Sequence, residues 1–265
     1  MIMKDDMKTD AFANLCTFTD RVALVTGAAG NIGFAVCRRL AAHGVRIAAC
    51  DIDAAAVGSR LAPLVAEGAD IRAYAMDVTS RDSVFAAVAA VKSDFGKIDI
   101  LVNNAGVWEH RDVQGRQRFE EMDPVEWKRL LDIDVDGVFH VTQAVLPELL
   151  KNGYGRIVNL TSIAGEAGLP GYADYATAKA GMITFTKTLA MENAKRGVTV
   201  NCVSPGMVAR GEIKSTPGTW IGREGSADEM ARAIVFLAAD ESGFITGVDI
   251  PVEGGRILGP HNCDM

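Results

Sequence analysis

A chain of 265 residues, 49% of them hydrophobic, has enough apolar material for a sizeable core. With 34 acidic against 27 basic side chains it has no basic run to meet nucleic acid or an anionic membrane surface, and no stretch approaches the roughly 18 apolar residues of a membrane span. Its cysteines (Cys16, Cys37, Cys50, Cys202 and Cys263) are scattered without a C-x-x-C pair, and "MIMKDDMKTDAFANLC" fits no secretory signal, so free thiols in the cytoplasm are expected.

Residues 1–17 mix acids and bases before any apolar run and read as a loosely held arm. "RVALVTG" (21–27) reads as a buried strand, "NIGFAVCRRLAAHG" (31–44) as a helix and "VRIAACD" (45–51) as the next strand. Further strands are expected over 71–78, 98–106, 155–162, 198–206 and 247–255, with helices over about 80–94, 124–151, 173–195 and 226–239. Near-continuous apolar strands alternating with helices imply a parallel sheet covered on both faces. No composition break divides the chain, so one doubly wound α/β domain is expected over 18–265.

"VTGAAGNIG" falls where the first strand turns into the first helix. Gly27 suits a tight turn, Gly30 lets backbone approach a phosphate, and Gly33 allows close helix–strand packing, so free helix N–H groups would face a pyrophosphate. The second strand ends at Asp51, where a carboxylate can accept from an adenosine ribose 2′-OH and repel a 2′-phosphate. No Arg or Lys occupies 52–57 ("IDAAAV"), which favours NAD over NADP; Asp53 is the rival for the ribose, two residues further on.

In "YADYATAKAG" (172–181) Tyr175 and Lys179 are four apart and share a helix face. An ammonium beside the phenol favours the phenolate, giving a general base for an alcohol or a general acid for a ketone. Tyr172 has no lysine at that spacing and is read as pocket wall. Ser162 ends the preceding strand, at the sheet edge where open α/β folds bind ligands, and its hydroxyl is placed to bond the reacting oxygen. Thr161 should point to the opposite face.

Taken in order, TGAAGNIG, Asp51, Asp77 in "MDV", "NNAG" (103–106), Ser162, Tyr175-x-x-x-Lys179, "SPG" (204–206) and "ITGVDIPVEGG" resemble the short-chain dehydrogenase/reductase family from about residue 20 to 257. The resemblance implies a Rossmann-type fold and hydride transfer between NAD(H) and a secondary alcohol or ketone. It makes Tyr175 the acid/base, has Lys179 bind the nicotinamide ribose and lower the tyrosine pKa, and has Ser162 orient the carbonyl. Along the cofactor it places Ile32, Asn31, Ile52, Asp77, Val78, Asn104, Ala105, Gly106, Pro205, Gly206 and Val208, and it has Asn103 stabilise the sheet. It also implies a homodimer or homotetramer paired through the helices at 124–151 and 173–195. The C-terminal region most resembles bacterial 3-oxoacyl carrier-protein reductases and hydroxysteroid dehydrogenases.

Three positions depart from the family pattern. Asn31 stands at the middle glycine of the phosphate loop, and Arg210 replaces a threonine that touches the carboxamide. Asp134 replaces an asparagine whose segment carries a proton relay towards the lysine. In "LLDIDVDGVF" (130–139), Asp132 and Asp136 share one helix face while Asp134 points nearly opposite, so the three cannot converge on a metal. An ionised Asp134 would hold Lys179 firmly and displace the pH optimum. The histidines and cysteines have no ligand spacing, so no metal is expected.

For substrate, His110, Arg111, Arg116 and Arg118 either meet an anionic tail or form a solvated loop. Met207 and Trp220 offer apolar contact in a loop that could close over substrate. A hydroxysteroid, another cyclic alcohol and a hydroxyacyl thioester all fit. A sensor or scaffold that binds NAD without turnover is the alternative from another class.

Overall fold

Seven parallel strands form one sheet in the order β3-β2-β1-β4-β5-β6-β7, seen in a computed structural model that describes residues 16–109 and 117–259. The strands are β1 (Val22–Thr26), β2 (Arg46–Asp51), β3 (Ile71–Ala75), β4 (Ile100–Asn103), β5 (Gly155–Leu160), β6 (Val198–Pro205) and β7 (Asp249–Val252). The apolar runs are continuous because both sheet faces are covered. Ala23 and Val25 of β1 enter one core with α1 (Asn31–Ala42), α2 (Ala54–Ala66) and α8 (Ala227–Ala238), as the alternation of strand side chains requires. Val22 and Leu24 enter the other, with α3 (Arg81–Phe95) and α5 (Gly137–Lys151).

β1 pairs with β2 on one side and β4 on the other, so the chain order reverses there and a crevice opens at the carboxyl ends of these strands. α4 (Pro124–Leu131), the single turn α6 (Ala164–Ala167) and α7 (Ala173–Asn193) border that crevice. No helix among the described residues is long and apolar enough to cross a membrane.

Three details differ from the sequence expectations. The stretch between β2 and β3 is helix α2, which buries only Val57 and Leu61 and contains Pro63, so its apolar signal is thin. Asp53, the rival for the ribose, is its N-cap and accepts from the Ala56 N–H at 2.9 Å. The helix expected over 124–151 is broken into α4, a π-helical segment Asp132–Asp136, and α5. There the Gly137 N–H reaches back five residues to the Asp132 carbonyl.

Residues 1–15 of the expected arm lie outside the described residues. Thr17 is tied down, its N–H donating to Glu241 at 2.9 Å. Cys37, Cys50 and Cys202 are buried free thiols, and burial raises the pKa of Cys37 and of Cys202 to about 12.

Candidate active site

A cleft of about 2200 Å³ runs along the carboxyl ends of the strands. One end is the loop from Gly27 to Gly33. Gly27 has φ +64°, and a Cβ on Gly33 would stand 2.3 Å from the Gly27 carbonyl oxygen, so the loop can pack this tightly only with glycine at both positions. α1 begins at the loop with Gly30 as N-cap and no side-chain cap, leaving first-turn N–H groups for an anion. This cradle fits a dinucleotide pyrophosphate.

The turn after β4 is fastened to β1. Thr26 Oγ1 accepts from the N–H groups of Asn104 and Ala105, both at 3.0 Å. The Asn104 amide donates to the carbonyls of Thr26 and Gly27, each at 2.9 Å. Asn103 is buried and donates to Asn159 of β5 at 2.8 Å and to Thr142 of α5 at 3.1 Å, tying β4 to both. Asp51 stands in the cleft wall with Oδ2 accepting from the Ala29 N–H at 3.0 Å, and exposed Ile52 beside it offers an apolar face. Asp77 holds the turn after β3 through Thr79 Oγ1 at 2.7 Å. Ile32, Val78, Ala105, Gly106, Pro205, Gly206 and Val208 complete the wall.

Ser162, Tyr175 and Lys179 all line this same cleft, brought there by the end of β5 and the first turns of α7. Ser162 Oγ accepts from the Ala164 N–H at 3.2 Å, which fixes its side chain. Thr161 turns towards Val203 and Ser204, its hydroxyl 2.9 Å and 2.8 Å from them. Lys179 Nζ lies 5.5 Å from the Tyr175 ring centroid and donates to the Leu160 carbonyl at 3.2 Å.

Asp134 lies in the π segment with its side chain turned inward, fully buried, while Asp132 pairs with Lys128 at 2.6 Å and Asp136 faces solvent. Asp134 Oδ1 accepts from the Val107 N–H at 2.8 Å. Its Oδ2 stands 3.0 Å from Lys179 Nζ, an ion-pair contact off the line of an aligned hydrogen bond. Burial by itself lowers a lysine pKa, but the Asp134 carboxylate and Tyr175 oppose it and the ammonium is held above its ordinary range. A Cβ on Gly106 would come within 3.1 Å of Asp134 Oδ1 and 3.3 Å of Lys179 Nζ, so the pair fills the space that glycine leaves.

Arg210 lines the mouth of the cleft. Its guanidinium pairs with Glu109 at 2.8 Å and lies over Trp108, whose ring stands 5.8 Å from that of Tyr172. Its carbonyl accepts from the Asn31 side-chain amide at 3.2 Å, so the two departures from the family pattern touch each other. Tyr172 and Met207 line the cleft as expected of wall residues. Trp220 does not line it: the ring packs against Gly255. Arg118 pairs with Glu120 outside the cleft, and His110, Arg111 and Arg116 lie outside the described residues.

A family model described as enoyl-(acyl carrier protein) reductase matches residues 27–256. An acetoacetyl-CoA reductase of Allochromatium vinosum is 41% identical over 90% of this chain and 99% of its own length. The chain belongs to the short-chain dehydrogenase/reductase family. Within that family, a 3-oxoacyl-[acyl-carrier-protein] reductase of Escherichia coli is 36% identical over 91% of this chain and 99% of its own. An NAD+-bound xylitol dehydrogenase superposes with a TM-score of 0.82 at 35% identity, covering 89% of this chain and 98% of that one. Membership makes this chain an oxidoreductase of the short-chain dehydrogenase/reductase type.

Reading the sequence missed Arg60, which reaches the phosphate loop from α2, and the Glu109–Arg210 pair. The first was hidden because α2 itself was not recognised, and the second because it joins two loops distant in sequence.

Proposed function

We propose that this oxidoreductase interconverts a secondary alcohol and its ketone using NAD(H), with Tyr175 as the acid/base, and that its substrate is a short hydroxyacyl or ketoacyl thioester. The observation that carries the reading is the convergence of Ser162, Tyr175 and Lys179 on one cleft whose far end is a glycine-lined phosphate cradle. Asp51, ending β2 in the cleft wall, supports NAD over its 2′-phosphorylated form. The acetoacetyl-CoA and 3-oxoacyl carrier-protein reductases among the relatives support the thioester class over a hydroxysteroid.

A nicotinamide dinucleotide bound along this cleft supplies or accepts the hydride. The chain's own residues handle the oxygen. In the reductive direction the Tyr175 hydroxyl gives its proton to the substrate oxygen, and in the oxidative direction the phenolate takes the proton back. Lys179 favours the phenolate through its charge, and Ser162 Oγ donates to the oxygen as charge develops there. Asp134 is a positioning residue, because it acts through the Lys179 ammonium that it holds. Exposed Phe139 on α5 and Met191 on α7 support pairing of two copies through these helices.

The test is a screen that follows reduced-nicotinamide absorbance with acetoacetyl-CoA, longer 3-oxoacyl thioesters, polyols and steroid alcohols. Turnover is expected with the short thioesters, falling about 10²–10⁴-fold in Tyr175→Phe. Binding of NADH without turnover of any substrate would favour the sensor or scaffold alternative.

A further inference from the structure

Outward from Tyr175, one wall of the cleft is a file of aromatic rings. Tyr172 is the N-cap of α7 and stands one turn before Tyr175, so both tyrosines line the cleft from the start of the same helix. The Trp108 ring follows, 5.8 Å from that of Tyr172 and tilted 43° to it. Leu169 and Pro170 add apolar surface beside them, in the turn that the Tyr172 N–H closes onto the Leu169 carbonyl at 3.1 Å.

Trp108 is held in place on both sides. Its neighbour Val107 donates its N–H to the buried Asp134 carboxylate at 2.8 Å, and the Arg210 guanidinium lies 5.2 Å from the indole centroid. The side chain is nonetheless 42% exposed, so packing into the core does not account for its position. The apolar wall ends at this ring. Next along the file comes Arg210, paired with Glu109 at 2.8 Å, with both side chains more than half exposed. An apolar chain gains about fourfold in affinity for each methylene taken out of water, and gains nothing from reaching charges that keep their own water.

We propose that Trp108 is a specificity-determining residue: with Tyr172 it closes the acyl pocket and confines the protein to 3-oxoacyl and 3-hydroxyacyl groups of short chain. The inference rests on the reading of the substrate as an acyl thioester. With the reacting oxygen at Ser162 and Tyr175, the last carbons of a short acyl group lie against the Tyr172 and Trp108 rings. A longer group must displace the indole or run on to the Arg210–Glu109 pair. None of the groups that handle the proton takes part in this selection.

Acetoacetyl-CoA and its straight-chain homologues two and four carbons longer are compared by kcat/KM in the full chain, Trp108→Ala and Trp108→Phe. NADH binding is followed separately by nicotinamide fluorescence. The parent is expected to favour acetoacetyl-CoA over the longest homologue at least about tenfold. Trp108→Ala should shrink that ratio at least about tenfold, by slowing the short substrate and admitting the long one, with Trp108→Phe between. NADH affinity should change less than about fivefold, the loss of one exposed cation–π contact. A parent whose kcat/KM is level or rises with chain length overturns the proposal. So does an equal loss at every chain length in Trp108→Ala, which would make Trp108 only a brace for the loop after β4. If that variant no longer binds NADH, an unchanged ratio in Trp108→Phe overturns the proposal instead. A parent that binds NADH and turns over a polyol or steroid alcohol but no thioester would fail the thioester reading itself, and the proposal with it.

Discussion

The catalytic end of the cleft and its mouth each hold an ion pair, and the two pairs are nearly equal in length. Lys179 and Asp134 are 3.0 Å apart, with side chains 6% and 0% exposed. Arg210 and Glu109 are 2.8 Å apart, with side chains 64% and 59% exposed. Distance therefore does not rank them; solvent does. Water and salt screen the outer pair to about 0–1 kcal/mol, whereas removing one partner of the inner pair leaves a buried charge at a cost of about 3–5 kcal/mol. The inner pair suits a fixed field beside Tyr175, as the proposed acid/base role of that residue requires. The outer pair suits a place where molecules must enter and leave.

The largest effect expected from this contrast is at Asp134. Asp134→Ala strands the Lys179 ammonium and should cost about 3–5 kcal/mol of stability at neutral pH, read from the denaturant midpoint. Asp134→Asn keeps the shape and isolates the charge. In the parent the Lys179 pKa is raised, so its stabilising contribution is complete below the ordinary lysine value of about 10.4 and is lost as pH climbs through the raised value. In Asp134→Asn only Tyr175 still opposes burial, the lysine pKa falls, and stability should instead rise as alkali removes the buried charge. The alkaline limb of the pH–rate profile should move down with it. Parallel stability curves for parent and variant would show that the carboxylate does not set the state of the lysine.

A smaller effect is expected where the pair meets the backbone. Gly106→Ala puts a methyl group 3.1 Å from Asp134 Oδ1 and 3.3 Å from Lys179 Nζ. Overpacking of this kind costs about 1–3 kcal/mol and should lower kcat more than it raises the KM for NADH, because it displaces the ammonium beside Tyr175. A rise in KM alone would place the damage in the cofactor wall.

Legibility in the sequence follows the same division. β1, the phosphate loop, and Tyr175 with Lys179 were readable because local periodicity and glycine spacing carry them. The inward turn of Asp134 was only half readable: the departure from asparagine marked the position, but DIDVDG reads as ordinary α-helix until the backbone shows the π segment. α2 was hidden by its two-residue buried face, and Arg60 with it. The ties at the mouth join loops far apart in sequence, 179 residues apart for Asn31 and Arg210, and no local pattern announces an exposed long-range contact.

Those ties carry the smallest expected effect. Through its carbonyl the Arg210 segment is fixed to Asn31, and through its guanidinium to Glu109 and Trp108, so it joins the phosphate loop to the substrate wall. On the proposed reading of the cleft, a dinucleotide bound beneath this segment would loosen one of these contacts to leave. Glu109→Gln removes the charge and little else, and should speed NADH dissociation by no more than about fivefold at low salt, measured by stopped-flow displacement. Raising the salt should speed dissociation from the parent towards the variant's rate, since exposed charges are screened over about 10 Å at 0.1 M, and should barely move the variant. Equal rates for parent and variant at low salt would make the Glu109–Arg210 pair a surface contact with no hold on the cofactor, and would leave the Asn31–Arg210 hydrogen bond as the tie to break next.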